Sequence, residues 1–213
     1  MVTIQQWWRT GIPSAGERQA RRGPEPGPLP ETSAAEAALL QAGRAGDRAA
    51  LEQLLALHKR PLYALCRGML GHPDDAEDAV QETFLHALRA LSRFRGDAAF
   101  RSWLFRIAIN ICLKWKAAHP PTAPWEDDDV VSSSPTPSPE TLALRQLRLT
   151  EALSALLPRY RAILLLKELD GWSVAEIAAA MGWNEKRAAN ELYKARRALV
   201  EWRRREAAGG EER

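Results

Sequence analysis

Apolar residues recur at three- and four-residue spacing through most of the chain, and no run alternates with the two-residue period of a half-buried strand. The first such pattern starts at Ser33. Leu39, Leu40, Ala50, Leu51, Leu54, Leu55, Leu57, Leu62 and Leu65 keep helical spacing, with an interruption around Gly43 to Asp47. Ser33 with Glu36 three positions on has the form of a capping box. After Gly71, His72 and Pro73, Asp74 or Asp75 can cap a new helix whose acidic first turn complements the helix dipole. Ala76, Val80, Phe84, Leu88 and Leu91 predict its buried stripe, which leaves Asp78, Gln81, Glu82 and Leu85 elsewhere on the wheel to meet a partner. Gly96 and Asp97 then open a turn. A further helix is predicted over 100–118, with Trp103, Leu104, Ile107 and Ile111 buried.

Two stretches break the pattern. Residues 1–32 are dense in Gly and Pro and predict a disordered arm, in which the pair Trp7 and Trp8 is suited to docking on a partner. Residues 119–138 are rich in Pro and Ser and carry Glu126 and Asp127 to Asp129, the composition of a flexible acidic linker. Ser138 and Pro139 read as the cap and first residue of the next helix. Helices are predicted over 139–156, 158–169, 173–181 and 184–205, with Pro158 starting the second, Asp170 and Gly171 ending it, and Ser173 with Glu176 boxing the third. The predicted fold is all-α, with two small helical domains at 33–118 and 139–206 and a short disordered tail at 207–213.

Composition narrows the function. Hydrophobic residues make up 46% of the 213, enough for a core, and the formal charge is +3. The distribution says more: basic residues gather at 93–116 and 186–205 and are absent between Lys116 and Arg145, which fits a two-point grip on nucleic acid. Cys66 and Cys112 lie far apart in apolar helical settings, so buried thiols in a reducing cytosol are expected and zinc is not. No apolar run reaches the ~20 residues of a membrane span, and the start of the chain lacks the form of a signal peptide. His58, His72, His86 and His119 are scattered, and no HExxH, nucleophile elbow or phosphate loop occurs. Neither catalysis, a cofactor nor a resident metal is expected, and the chain is expected to be cytoplasmic.

The second domain has the outline of a helix-turn-helix over 173–196. Ala178 is the small residue facing the partner helix, Gly182 supplies the turn, and Ile177 and Leu192 fill the space between the helices. Asn184 can cap the second helix and aim its first residues at a major groove. Asn184, Lys186, Arg187 and Asn190 are therefore candidate base or phosphate contacts, with Lys194, Arg196 and Arg197 placed for phosphates. In the first domain, the stretch from Asp74 to Ala118 changes from an acidic amphipathic helix to a basic, aromatic-rich one. An acidic face suits a basic protein partner, and interleaved Arg, Lys, Phe and Trp suit single-stranded nucleic acid.

Together these residues resemble the extracytoplasmic-function sigma factors. DAEDAVQETFLHAL and RFRGDAAFRSWLFRIAIN look like parts of sigma region two, and LTEALSALLPRYRAILLLKELDGWSVAEIAAAMG looks like region four. The resemblance implies that Asp78, Gln81, Glu82 and Leu85 dock on the basic clamp helices of the largest subunit of bacterial core RNA polymerase. It implies that Arg95, Phe100, Trp103, Arg106, Asn110 and Lys114 recognise and open the minus-ten element of promoter DNA. Region four would read the minus-thirty-five element through Asn184, Lys186, Arg187, Asn190, Glu191, Lys194 and Arg197, and would meet the flap of the second-largest subunit. The acidic linker resembles the segment that threads toward the RNA exit path, and the usual family arrangement adds a separate anti-sigma factor. One departure is plain. The family usually carries a Thr-Val-Lys-Ser-Arg type sequence where this chain has Arg187, Ala188, Ala189, Asn190 and Glu191. Against a phosphate Glu191 would be repelled, whereas a cytosine amino group could donate to it.

Overall fold

The computed structural model describes residues 34–94, 99–118 and 148–209. Every regular element among them is helical. In chain order these are α1 (Ala34–Arg44), α2 (Arg48–Leu70), α3 (Pro73–Ala90), a 3-10 turn (Leu91–Arg93), α4 (Phe100–Ala118), α5 (Pro158–Leu169), α6 (Val174–Met181) and α7 (Glu185–Gly209). Residues 148–154 are also helical. The proposed cap Ser33, the turn at Gly96 and Asp97, the pair Trp7 and Trp8, and the start at Ser138 and Pro139 lie outside the described residues.

Local chemistry explains the ends. Asp47 caps α2 by accepting from the backbone N–H of Ala50 at 3.0 Å, which sets the break between α1 and α2. The helix α2 runs on through Pro61, which cannot donate an intrahelical hydrogen bond. At α3 the expectation of an Asp cap is corrected. The N-cap is His72, without a side-chain cap bond, and Pro73 opens the helix so that Asp74 and Asp75 fall inside its first turn. There they still complement the dipole. The box of Ser173 and Glu176 forms at α6 in both directions, at 3.1 and 2.8 Å.

The buried stripe of α3 also differs from its prediction. Ala76, Val80 and Leu91 are buried, Phe84 is half-buried, and Leu88 is 44% exposed. Ala79, Thr83 and Ala87 take the inner positions, because small residues let α3 lie close against its neighbours; the Thr83 hydroxyl donates to the Ala79 carbonyl at 2.6 Å. In α4, Leu104 and Ile111 are buried as expected, whereas Trp103 and Ile107 are half-buried and Phe100, Phe105, Ala108, Ile109 and Cys112 form the inner face.

The two halves share a core. One continuous apolar cluster runs from Leu62, Leu65, Met69 and Val80 through Phe105 and Ile109 to Leu165, Trp172, Ile177 and Leu192. A smaller cluster joins Leu54, Leu55, Leu91, Phe94, Phe100 and Leu104 under α1. Helix α5 packs on α2 and α4, and α6 packs on α4. The approach is close: a Cβ at Gly68 of α2 would stand 2.7 Å from Leu165 of α5. Arg161 is buried at this seam, donating to the carbonyls of Leu153 and Met69 at 2.7 Å each. Burial pushes its guanidinium down to about 10.

Candidate nucleic-acid interface

Three surfaces hold the predicted site residues. On α3, Asp78, Gln81 and Leu85 are exposed and Glu82 is half-buried, so one face presents two carboxylates beside an apolar side chain that is 51% exposed. Glu82 is fixed from behind. The Trp115 indole Nε1–H donates to its Oε2 at 3.0 Å, and His86 Nε2 lies 3.7 Å from its Oε1.

On α4, Arg106, Asn110 and Lys114 are exposed and recur every four residues, which makes one basic stripe along the helix. Trp103 stands at its start, half-buried, with its ring 5.1 Å from Phe94 and 5.5 Å from Phe100. Phe100 is 1% exposed and also packs 5.7 Å from His58. Its ring is core and supports Trp103; it is not available to a base in this conformation. Arg95 lies outside the described residues.

The third surface is the start of α7. Gly182 ends α6 in the left-handed conformation at φ 69°, which turns the chain, and Asn184 Oδ1 accepts from the backbone N–H of Arg187 at 2.8 Å. Ile177, Ala178 and Leu192 are buried between the two helices, which completes the helix-turn-helix. Asn184, Lys186, Arg187, Asn190, Lys194 and Arg197 are exposed on the outer face. Arg187 lies over the Trp183 ring at 4.7 Å, and Arg197 pairs with Glu201 at 3.2 Å. Arg196 is half-buried and tied to Glu168 at 3.1 Å, a helix-to-helix strut. Glu191 is held by two cations. Lys194 Nζ lies 2.7 Å from Oε1 and Arg159 Nε 3.5 Å from Oε2, and the Lys194 hydrogen bond keeps the carboxyl below its usual range.

Sequence patterns did not single out Trp172, Arg101 or Arg161. Trp172 follows the turn glycine Gly171 and is 1% exposed, its ring 4.9 Å from Phe105 and beneath the Arg101 guanidinium at 4.5 Å. Its periodicity belongs to no helix, so the only signal was a large aromatic in a short connection. Cys66 and Cys112 are both fully buried, and their mutual hydrogen bond, together with burial, pushes the Cys112 thiol up.

Residues 54–119 match the family Sigma-70 region 2, and residues 146–199 match Sigma-70, region 4. The chain is 36% identical over 168 residues to the ECF RNA polymerase sigma factor SigM of Mycobacterium tuberculosis, covering 78% of this chain and 83% of that protein. The chain belongs to the ECF sigma factors. It is also 32% identical to the ECF RNA polymerase sigma-E factor of Escherichia coli over 76% of this chain and 90% of the relative. Among solved structures it resembles CnrH in complex with the cytosolic domain of CnrY, with a TM-score of 0.62, 27% identity, and coverage of 79% and 96% of the two chains. The fold is shared with the sigma factor RpoE of Bartonella quintana, solved with the anti-sigma factor NepR, at a TM-score of 0.51 and 21% identity.

As a sigma factor the chain is a transcription initiation factor that binds RNA polymerase, in a family of non-enzymatic proteins. Region 2 of this sigma factor takes in most of α2, all of α3 and α4; region 4 takes in α5, α6 and most of α7. No helix among the described residues is long and apolar enough to cross a membrane.

Proposed function

We propose that this ECF sigma factor divides promoter opening among its three surfaces. The α3 face of Asp78, Gln81, Glu82 and Leu85 docks on the basic clamp helices of core polymerase. The α4 stripe of Trp103, Arg106, Asn110 and Lys114, with Arg95 ahead of it in the sequence, takes the non-template strand of the minus-ten element. Extracting a base costs a few kcal/mol of stacking, and an aromatic platform returns about 1–3 kcal/mol per base. The outer face of α7 reads the minus-thirty-five element from the major groove, and region 4 meets the polymerase flap. The domains run from 33 to 118 and from 139 to 206, and the protein works in the cytoplasm. The complex of CnrH with a second protein's domain supports a separate anti-sigma partner here as well.

One observation carries the reading. An acidic, leucine-bearing face on α3 and a basic stripe on the adjoining α4 are both exposed on one packed domain. A simple duplex-binding repressor needs neither. Reconstitution with bacterial core polymerase and mapping of transcript starts tests it. Charge reversal at Asp78 and Glu82 should weaken core binding with helix content unchanged; unaltered affinity would move the docking surface elsewhere.

A further inference from the structure

Of the two carboxylates on the α3 face, Glu82 has a second helix behind it. Its side chain is 31% exposed, and the indole Nε1–H of Trp115 donates to Oε2 at 3.0 Å. Trp115 stands near the end of α4, and its ring packs against the larger apolar cluster. The donor is therefore anchored in the core while the acceptor faces outward. Lys114, the preceding residue, lies about 100° round the same helix and is exposed on the basic stripe. Neighbouring residues of one turn thus serve two different surfaces.

The nature of the donor matters as much as its position. Glu191 faces Lys194 and Arg159, Glu168 faces Arg196, and Glu201 faces Arg197. A cation at such a distance offsets the carboxylate's charge within the chain. An indole N–H is a donor without charge, so it orients the Glu82 carboxylate and leaves its negative charge whole. The other oxygen, Oε1, has His86 Nε2 at 3.7 Å, beyond hydrogen-bond reach. A glutamate left loose would have to be immobilised by the partner, which weakens binding about two- to tenfold for each such side chain.

We propose that Trp115 is a positioning residue for the docking of core polymerase: its indole presents Glu82 in one orientation, fully charged, to a basic partner surface. The proposal rests on the assignment of the α3 face to core polymerase and deepens it. It adds a residue of the DNA-facing helix that acts through Glu82 rather than by touching the partner.

The test measures the affinity of the full chain for bacterial core polymerase in the parent, Trp115→Phe, Glu82→Ala and the double variant, with circular dichroism and thermal melting of each. Trp115→Phe should weaken binding about two- to tenfold and keep the parent's dependence on salt, because the carboxylate remains. Glu82→Ala should weaken binding at least as much and flatten that dependence. In the Glu82→Ala background, Trp115→Phe should change nothing. A penalty for Trp115→Phe that persists without Glu82 would make the tryptophan a packing residue and overturn the proposal. Parent affinity in Trp115→Phe beside a loss in Glu82→Ala would overturn it too, while leaving the docking face in place. Parent affinity in Glu82→Ala would instead remove Glu82 from the docking surface, and the role of Trp115 with it. If Trp115→Phe lowers helix content, β-(3-benzothienyl)alanine at position 115 puts sulfur where the N–H stands at nearly the same shape, and the same pattern of affinities is expected. The contact is also read without polymerase. The Trp115 indole proton, identified in the NMR spectrum by its loss in Trp115→Phe, should move upfield in Glu82→Ala; an unmoved signal would show that the hydrogen bond is not made and overturn the proposal.

Discussion

Glu191 is the residue at which the chain departs most from the sigma-factor pattern, and its surroundings restrict what it does. Both carboxylate oxygens already face cations, one from α5 and one from a turn further along α7. Accepting from a cytosine amino group would mean exchanging a contact with a full cation for one with a neutral donor, in which only the carboxylate carries charge. Glu191→Gln should therefore raise affinity for all duplexes alike and steepen the salt dependence by about one phosphate equivalent, measured by titrating a set of single-base variants of the promoter. A loss confined to one G·C pair would make Glu191 a base reader. His58 gives a second test at this scale. Burial holds its imidazole below the ordinary 6.5 and outweighs the Glu36 carboxylate 3.2 Å away, with Arg101 adding in the same direction. The folded state thus prefers the neutral ring, while the unfolded chain takes up a proton first. Its contribution is fully present above about pH 6.5 and is lost as the pH falls from there through the lowered folded value. His58→Gln should flatten the melting temperature between pH 7 and 5.5; an unchanged slope would assign that dependence to other groups.

At the scale of elements, the turn between α6 and α7 has two demands on one position. Gly182 needs a positive φ, and the space where its side chain would go is filled by Arg106. Gly182→Ala should cost about 1–2 kcal/mol from the backbone alone, seen as a lowered midpoint in urea, and it should disturb the Arg106 contact as well. The sequence made this turn legible, because Gly182 four residues after Ala178, the box of Ser173 and Glu176, and the cap at Asn184 are short-range chemistry. It made α3 only partly legible. A stripe of large apolar residues was expected, yet Ala79, Thr83 and Ala87 lie inside and Leu88 outside, because close packing selects small residues that hydrophobicity alone does not rank. Phe100 shows the same limit on the site. An aromatic next to basic residues reads equally as platform or core, and only the neighbouring rings of Phe94, Trp103 and His58 decide for core.

For the whole molecule, a linker rich in Pro and acidic residues suggests two independent bodies, whereas the described residues share one core. Nothing local could have announced this, since Trp172, Leu165 and Arg161 meet partners 67 to 97 positions away, as in Trp172 on Phe105, Leu165 beside Gly68 and Arg161 on Met69. Arg161 binds the halves through two buried carbonyls. Arg161→Met would take the guanidinium donor from the Met69 carbonyl at a cost of about 1–3 kcal/mol, while the Leu153 carbonyl keeps the backbone N–H of Leu156 at 3.2 Å. It should split a single calorimetric transition into two, one for each region; one transition at the parent temperature would show that the seam does not couple their unfolding.

The apolar content of that seam has a thermal consequence. Separating the regions would bring Phe105, Trp172 and Leu165 toward water, and newly wetted apolar surface raises the heat capacity. Contacts of this kind weaken on cooling, whereas the guanidinium contacts beside them do not share that dependence. The fraction of molecules with the regions apart should therefore grow as the temperature drops toward the freezing point, well before either region loses its helices. Low temperature alone would then loosen this sigma factor at its seam while leaving both regions folded.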